Sequence, residues 1–138
     1  MFSPVELHLG LARNVSSAYQ GRNAVRRLLG EDASEAFVSD AMLATSELVT
    51  NALLHSHGVI ELSACFDRAT GWLRVEVSDS SSDLPQDVAR VPHQVGGLGL
   101  RVVAELSSAW GSLPTDHGKT VWFELGQSPE VPAGESRS

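Results

Sequence analysis

One stretch of the sequence, from about Ser34 to Leu54, constrains the fold more than any other. Its apolar residues recur every three or four positions over about twenty residues, which predicts a long amphipathic helix. These positions are Val38, Ala41, Met42, Thr45, Leu48, Val49, Ala52 and Leu53. The step from His57 to Gly58 ends the pattern, as expected for a helix C-terminus.

The segments on either side of this helix predict a sheet and two further helices. Alternating apolar residues near the N-terminus and runs of β-branched and aromatic residues further on indicate strands, whereas three-to-four spacing indicates helices. The predicted strands are Val5–Leu9, Val59–Phe66, Leu73–Ser78 and Thr120–Leu125. The other helices are Val15–Leu29, which Gly30 stops, and one that opens after Gly99 and runs to about Trp110. This order predicts an α+β two-layer sandwich with a mixed, mainly antiparallel sheet and helices on one face.

The length of 138 residues is typical of one domain. We expect that domain to span residues 1–126. The last segment, from Gln127 to Ser138, holds two prolines, a glycine and three serines and is almost free of apolar residues. A segment of that composition is predicted to be disordered.

Charge and cysteine content limit the classes of function. The net charge of −7 argues against a nucleic-acid-binding surface, because binding phosphates requires clustered Lys and Arg. The single cysteine, Cys65, rules out an internal disulfide and suits a reducing compartment. The N-terminus lacks the pattern of a signal peptide and no apolar run is long enough to span a bilayer. We therefore expect a cytoplasmic protein without membrane contact.

The long helix carries a polar pair on the side opposite its apolar stripe. Glu47 and Asn51 lie one helical turn apart and share a face. A solvated surface is one explanation of such a pair. The apolar Leu43 and Leu54 beside it, and an asparagine inside a helix, favour a cleft instead. In a cleft, Glu47 could act as a general base and Asn51 could hold a hard cation.

Asp79 follows the predicted strand Leu73–Ser78. If the strand continues by one residue, alternation directs the carboxylate to the inner face with Val75 and Val77. A buried carboxylate needs a partner, and the exocyclic amine of adenine would be one. If the strand ends at Ser78, Asp79 instead begins a turn.

A glycine cluster, Gly96, Gly97 and Gly99, leads directly into the third helix. Glycines allow close approach of a ligand to the backbone, and a helix N-terminus offers free N–H groups to phosphate. Arg101, in the first helical turn, could reach a terminal phosphate. A flexible hinge is the alternative explanation, and the spacing fits neither a Walker A loop nor a full dinucleotide fingerprint.

Four motifs in this order resemble the histidine-kinase-like ATPase superfamily, which has the Bergerat ATP-binding fold. They are SELVTNALLHS at residues 46–56, VEVSD at 75–79, GGLGL at 96–100 and GKTVWFEL at 118–125. The resemblance spans about Val5 to Leu125. The short chain and the ELVTNA wording are similar to stand-alone anti-sigma regulatory factors, some of which are serine/threonine protein kinases.

The resemblance implies a role for each matching residue. It makes Glu47 the general base, Asn51 the ligand of Mg²⁺ and Asp79 the residue that recognises the adenine amino group. Gly97 and Gly99 match the phosphate-covering loop, with Gly96 before them and Leu100 beginning the helix behind. The segment between Asp79 and Gly96 corresponds to a mobile lid over ATP.

The sequence departs from the family pattern in two places. Ser81 and Asp83 stand where the family has glycines, which affects the backbone beside adenine. In the last strand Gly118 is followed by Lys119 before Thr120, whereas the family has threonine directly after the glycine. Thr120, one position later than the family's threonine, is the predicted adenine-side contact.

The resemblance implies a regulatory protein that binds ATP and Mg²⁺, sequesters a sigma factor and phosphorylates an antagonist protein. It is also compatible with a homodimer. A non-catalytic module that binds a transcription regulator, with or without nucleotide, is the alternative, and Ser81 and Asp83 favour it slightly. A sensor-kinase fragment is a third reading. We expect an intact sensor to carry a histidine-bearing dimerisation helix before this domain, and none is present in the sequence.

Overall fold

A computed structural model describes residues 4–80 and 97–126. The elements, in chain order, are β1 (Pro4–Leu11), α1 (Ser17–Leu29), α2 (Glu35–His55), β2 (Ile60–Asp67), β3 (Trp72–Asp79), α3 (Gly97–Leu106), β4 (Ala109–Pro114) and β5 (Lys119–Leu125). The predicted lid and tail, including Ser81, Asp83, Gly96 and residues 127–138, lie outside the described residues.

The five strands form one sheet in the order β1-β2-β3-β5-β4. All four pairings are antiparallel, so the sheet is antiparallel throughout rather than mixed. The register places Asp79 at the end of β3 directly opposite Lys119 at the start of β5. This pairing brings two segments about forty positions apart into contact, which a strand-by-strand reading of the sequence cannot reveal.

The helices cover one face of the sheet. Alternate residues of the central strands point toward them and are buried, which is the period-two pattern of a half-covered sheet. The helix-facing residues are Leu62, Ala64 and Phe66 of β2, Leu73, Val75 and Val77 of β3, and Val121, Phe123 and Leu125 of β5. The predicted two-layer α+β sandwich is therefore confirmed.

Helix α2 packs against the sheet through its predicted apolar stripe. Ala41, Thr45, Leu48, Val49 and Ala52 of this stripe are buried. The helix begins after Ser34, whose hydroxyl oxygen accepts a hydrogen bond from the backbone N–H of Phe37 at 3.1 Å. Such an N-cap satisfies one of the free donors at the first turn. The ends lie within one residue of those predicted.

The third helix is shorter than predicted, because it ends at Leu106 and not near Trp110. The backbone N–H of Ser108 donates to the carbonyl of Glu124 on β5, so the chain has already left the helix for the sheet. The edge strand β4 follows, so the prediction that the helix continues to about Trp110 was wrong. Its sequence AWGSLP contains glycine and proline and lacks a clear alternation, so it carries no strand signal.

Arg13, in the loop after β1, ties that loop to the end of α2. Its guanidinium donates to the carbonyl oxygens of Ala52, Leu53, Ser56 and Gly58 at 2.5–3.3 Å. The last carbonyls of a helix have no partners within it and favour a nearby cation. Arg13 thus holds the C-terminal half of α2, which carries the candidate site residues.

Candidate functional site

Glu47 and Asn51 lie one turn apart on α2 and are both half-buried. Their neighbours Leu48, Val49 and Ala52 face the core. Leu43 and Leu54 flank the pair on the same face of the helix and are 45% and 67% exposed. The pair therefore shares its face of α2 with exposed apolar side chains, as a residue pair at the wall of a cleft would.

Glu47 lies directly against the first turn of α3. A Cβ built at Gly99 would come within 2.8 Å of Glu47 Oε1 and no other side chain is as near. The carboxylate thus occupies space that any residue other than glycine would fill. The turn that contains Gly97 and Gly99 is the N-terminus of α3, where backbone N–H groups and the helix dipole favour negative charge.

Asp79 belongs to β3 and points toward the helices, because the strand continues one residue beyond Ser78. Its side chain is only 3% exposed. The geometry thus agrees with an inward-facing carboxylate and excludes the alternative in which Asp79 begins a turn. A Cβ at Gly118 would clash with the Oδ1 and the backbone carbonyl of Asp79, so glycine at position 118 is what permits this close approach.

The partner of Asp79 across the sheet is Lys119. Its Nζ lies 3.1 Å from Asp79 Oδ2, and its side chain is 10% exposed. Sequence reasoning treated Lys119 only as an intervening residue before Thr120. The sequence places Lys119 directly after Gly118, but only the β3–β5 register shows that Lys119 lies opposite Asp79.

Thr120 lies on the opposite face of the sheet from Asp79. Its hydroxyl is 2.7 Å from Ser78 Oγ, and both residues alternate with buried neighbours that face the helices. The structure therefore does not bring Thr120 to the Asp79 side chain, contrary to its assignment as an adenine-side contact. The residue of β5 that reaches this point is Lys119.

His55 extends the polar face of α2 by one more turn beyond Asn51. Its Nε2 is buried and has no hydrogen-bond partner among the described residues. Burial lowers the pKa of His55 below its ordinary value, and the positive charge of Lys119 lowers it further. His55 therefore lies within electrostatic range of Lys119, and its surroundings oppose protonation of the ring.

Glu47, Asn51 and His55 form one stripe along α2, which we call the polar stripe. At one end of the stripe, Glu47 lies against Gly99. At the other end, His55 is close enough to Lys119, which is paired with Asp79, for the charge of the lysine to act on it. Eight residues of helix span about 12 Å. The polar stripe thus runs over about 12 Å from the glycine turn of α3 toward the pair of Lys119 and Asp79.

The remaining predicted residues are less closely involved. Leu100 is half-buried and packs against the core. Arg101 is exposed, and the structure shows no contact between it and the polar stripe.

The residues present fit ATP and Mg²⁺ in part. The oxygen atoms of Glu47 and Asn51 are of the hard type that Mg²⁺ prefers, and Gly99 leaves no Cβ in the way. Within residues 4–80 and 97–126, no group of three or more His, Cys, Asp or Glu side chains is arranged to hold a metal by itself. Asp79 fits an amine donor but is already paired with Lys119.

Comparison with known proteins identifies the family of this domain. The family model described as a histidine kinase-like ATPase domain matches residues 11–125. No curated protein gives a significant match. Over the described part of the chain, no helix is both long and apolar enough to cross a membrane.

Among solved structures, the chain is similar to the RsbU and RsbW domains of Rv1364c from Mycobacterium tuberculosis. The TM-score is 0.67 at 23% sequence identity, and the match covers 88% of this chain. It covers 32% of that chain, so this protein spans about a third of its length. At this identity the likeness concerns the fold.

Proposed function

The chain belongs to the histidine kinase-like ATPase domain family, and we propose on this premise that it is an ATP-binding regulatory protein of the anti-sigma factor type. In this proposal it phosphorylates a serine or threonine of an antagonist protein. The observation that carries the proposal is the contact of Glu47 with the glycine turn at Gly99. That contact places a carboxylate beside a helix N-terminal turn of the kind that binds phosphate, at one end of the polar stripe.

Each side chain has a role that follows from its chemistry and position. Asn51 would hold Mg²⁺ through its amide oxygen. The N-terminus of α3 at Gly97 and Gly99, together with Gly96, which precedes it in the sequence, would bind phosphate oxygens through backbone N–H groups. Asp79 would accept a hydrogen bond from the 6-amino group of adenine.

Glu47 is the proposed general base. Its carboxylate would accept the proton of the attacking hydroxyl group as that oxygen bonds to the γ-phosphorus of ATP, while the bond from this phosphorus to the bridging oxygen breaks and ADP leaves. ATP, when bound, supplies the phosphoryl group, and Mg²⁺ neutralises the charge that develops on it. The half-buried position of Glu47 keeps the carboxylate near both the helix N-terminus and the exposed side of α2.

Two similarities support the anti-sigma part of the proposal. The ELVTNA motif around Glu47 and Asn51 resembles stand-alone anti-sigma regulatory factors, and a structural neighbour contains an RsbW domain. A sigma factor and an antagonist protein are accordingly the proposed partners, in the cytoplasm, with a homodimer as the proposed assembly. Because the neighbour is more than twice as long, these partners are inferred from the family resemblance and not from the fold.

A non-catalytic binding module is the second candidate function. The buried pair of Asp79 and Lys119 favours it, because the carboxylate that would recognise adenine is already engaged. In that case the domain would bind a transcription regulator, and nucleotide would have at most a structural effect.

The first test is calorimetric titration of the wild type and Asn51→Ala with ATP, in the presence and absence of Mg²⁺. We expect Asn51→Ala to lose Mg²⁺-dependent ATP binding while its circular dichroism spectrum stays unchanged. Ser39→Ala, an exposed change on the same helix, should bind as the wild type does. Normal ATP affinity in Asn51→Ala would refute the assignment of Asn51.

The second test separates the two candidate functions. The wild type is incubated with γ-labelled ATP and candidate antagonist proteins, and Glu47→Gln serves as the comparison. Label on a serine or threonine of the antagonist, lost in Glu47→Gln, would support the kinase. ATP binding without transfer to any antagonist would support the binding module.

A further inference from the structure

Lys119 is the only lysine among the 138 residues, and its side chain is 10% exposed. Lysine is among the residues least often buried, because an ammonium group loses much hydration energy on leaving water. Its Nζ is 3.1 Å from Asp79 Oδ2, and that carboxylate is 3% exposed. The only ammonium side chain of the protein is thus paired with the carboxylate proposed to recognise adenine.

The backbone holds this pair in place. Asp79 and Lys119 are direct partners in the β3–β5 register, and Gly118 packs against the Oδ1 side of the carboxylate. Oδ2 faces the ammonium. On α2, His55 lies close enough for the charge of Lys119 to act on it.

We propose that Lys119 is a specificity-determining residue of the base pocket, a proposal that rests on the ATP-binding function above. Its ammonium competes with the 6-amino group of adenine for Asp79, and it can donate instead to the oxygen of a 6-oxopurine. The pocket therefore prefers adenine over 6-oxopurines less strongly than a pocket with an aspartate alone.

The chemistry of the two groups gives the reason. An ionised carboxylate only accepts hydrogen bonds, so alone it favours a 6-amino group and opposes a 6-oxo group, which is also an acceptor. An ammonium has three donors, and Asp79 Oδ2 takes one of them. The pair thus offers both an acceptor and donors to the same edge of the base, and mismatched polar groups are the usual source of discrimination between such analogues.

The test measures the dissociation constants of ATP and ITP by calorimetry for the wild type and Lys119→Met. Methionine keeps most of the length and volume of the side chain and removes the charge. We expect the ratio of the ITP constant to the ATP constant to rise at least about tenfold in Lys119→Met, which corresponds to about 1.4 kcal/mol. Lys119→Thr is a second variant that should show the same direction, and thermal unfolding checks that each variant is folded.

Ser78→Ala is the matched control. Ser78 is adjacent to Asp79 in β3, but its side chain is on the face away from the helices. In Ser78→Ala the ratio of the ITP constant to the ATP constant should stay within about twofold of the wild-type ratio. A twofold change is well below the tenfold step, which corresponds to about 1.4 kcal/mol.

The outcomes distinguish this proposal from the function on which it rests. An unchanged or lower ratio in folded Lys119 variants that bind ATP overturns the role of Lys119 and leaves ATP binding intact. If the wild type binds ATP and these variants do not, Lys119 makes a contact with the base that binding requires. That result also overturns the proposed competition between Lys119 and adenine for Asp79. If neither the wild type nor any variant binds either nucleotide, the ATP-binding function fails and this proposal fails with it.

Discussion

The carboxylate of Glu47 and the backbone of Gly99 occupy adjacent space, since a Cβ at position 99 would come within 2.8 Å of Glu47 Oε1. The atom that would be displaced is the end of a flexible side chain, whereas Gly118 faces the carbonyl oxygen of Asp79 as well as its carboxylate. Both glycines border the candidate site. Adding a methyl group should therefore have different effects at the two positions.

Gly99→Ala should change activity more than stability. The Glu47 carboxylate can rotate away from the methyl group at small cost, and alanine is the better helix former by up to about 1 kcal/mol. We expect the free energy of unfolding in urea to change by less than about 1 kcal/mol. The rate of phosphoryl transfer from labelled ATP should fall up to about 100-fold, because misplacing a catalytic group by about 1 Å can have that effect. An unchanged rate would contradict the role of Glu47 as a base.

Gly118→Ala should reduce stability, because the new methyl group meets backbone and not only a movable side chain. Overpacking of this kind costs about 1–3 kcal/mol, and urea denaturation would measure it. Gly10→Ala on β1 is the control, since nothing lies within 4 Å of a Cβ there. If both variants unfold at the same urea concentration, the close approach of Gly118 to Asp79 is wrong.

Arg13→Ala should loosen the end of α2. It removes a guanidinium that donates to four carbonyl oxygens at that end, and hydrogen bonds to charged groups contribute about 1.5–3 kcal/mol. Because part of this arrangement is exposed, we expect a loss of about 1–2 kcal/mol in the free energy of unfolding. Hydrogen exchange should accelerate at the C-terminal turn of α2 and much less in α1. Arg27→Ala, on the exposed side of α1, should change stability by less than about 0.5 kcal/mol.

His55 should make the protein less stable in mild acid. Burial, and then the charge of Lys119, lowers the pKa of His55 in the folded state below its ordinary value of 6.5. The unfolded chain then binds a proton more readily, so this stability is fully present above pH 6.5 and declines as the pH falls from there through the folded-state pKa. Urea denaturation between pH 7.5 and 5 should show a steeper decline for the wild type than for His55→Gln.

The same histidine reports on Lys119. In Lys119→Met the charge that opposes protonation is gone, so the pKa of His55 should rise toward 6.5 in a titration followed by NMR. Identical titration curves would show that Lys119 is too far from His55 to affect it.

Local patterns in the sequence were sufficient to predict most of the fold. The three-to-four spacing of α2 predicted its ends within one residue, and Ser34 and Gly30 act as the cap and the stop that their residue types suggest. The edge strand β4 was missed because AWGSLP has no regular alternation. Strand β4 forms because it pairs with β5, where the ring of Trp122 lies against Gly111. No local sequence pattern encodes that contact.

The site was predictable where one element determines it and not where two must be paired. Glu47 and Asn51 share a face because helical geometry requires it, and strand alternation was enough to direct Asp79 inward. The partner of Asp79 depends on the β3–β5 register, which assigns Lys119 to the inner face and Thr120 to the outer one. A family pattern with threonine after glycine therefore pointed to the wrong side chain.

The burial of Lys119 also affects how this protein can be handled in the laboratory. Reagents that acylate amines, including most cross-linkers, coupling surfaces and fluorescent esters, find one lysine in the whole sequence, and its ammonium is buried in an ion pair. In the folded chain Lys119 should therefore react with these reagents only slowly. Acylation of Lys119 would thus become a chemical signal of unfolding.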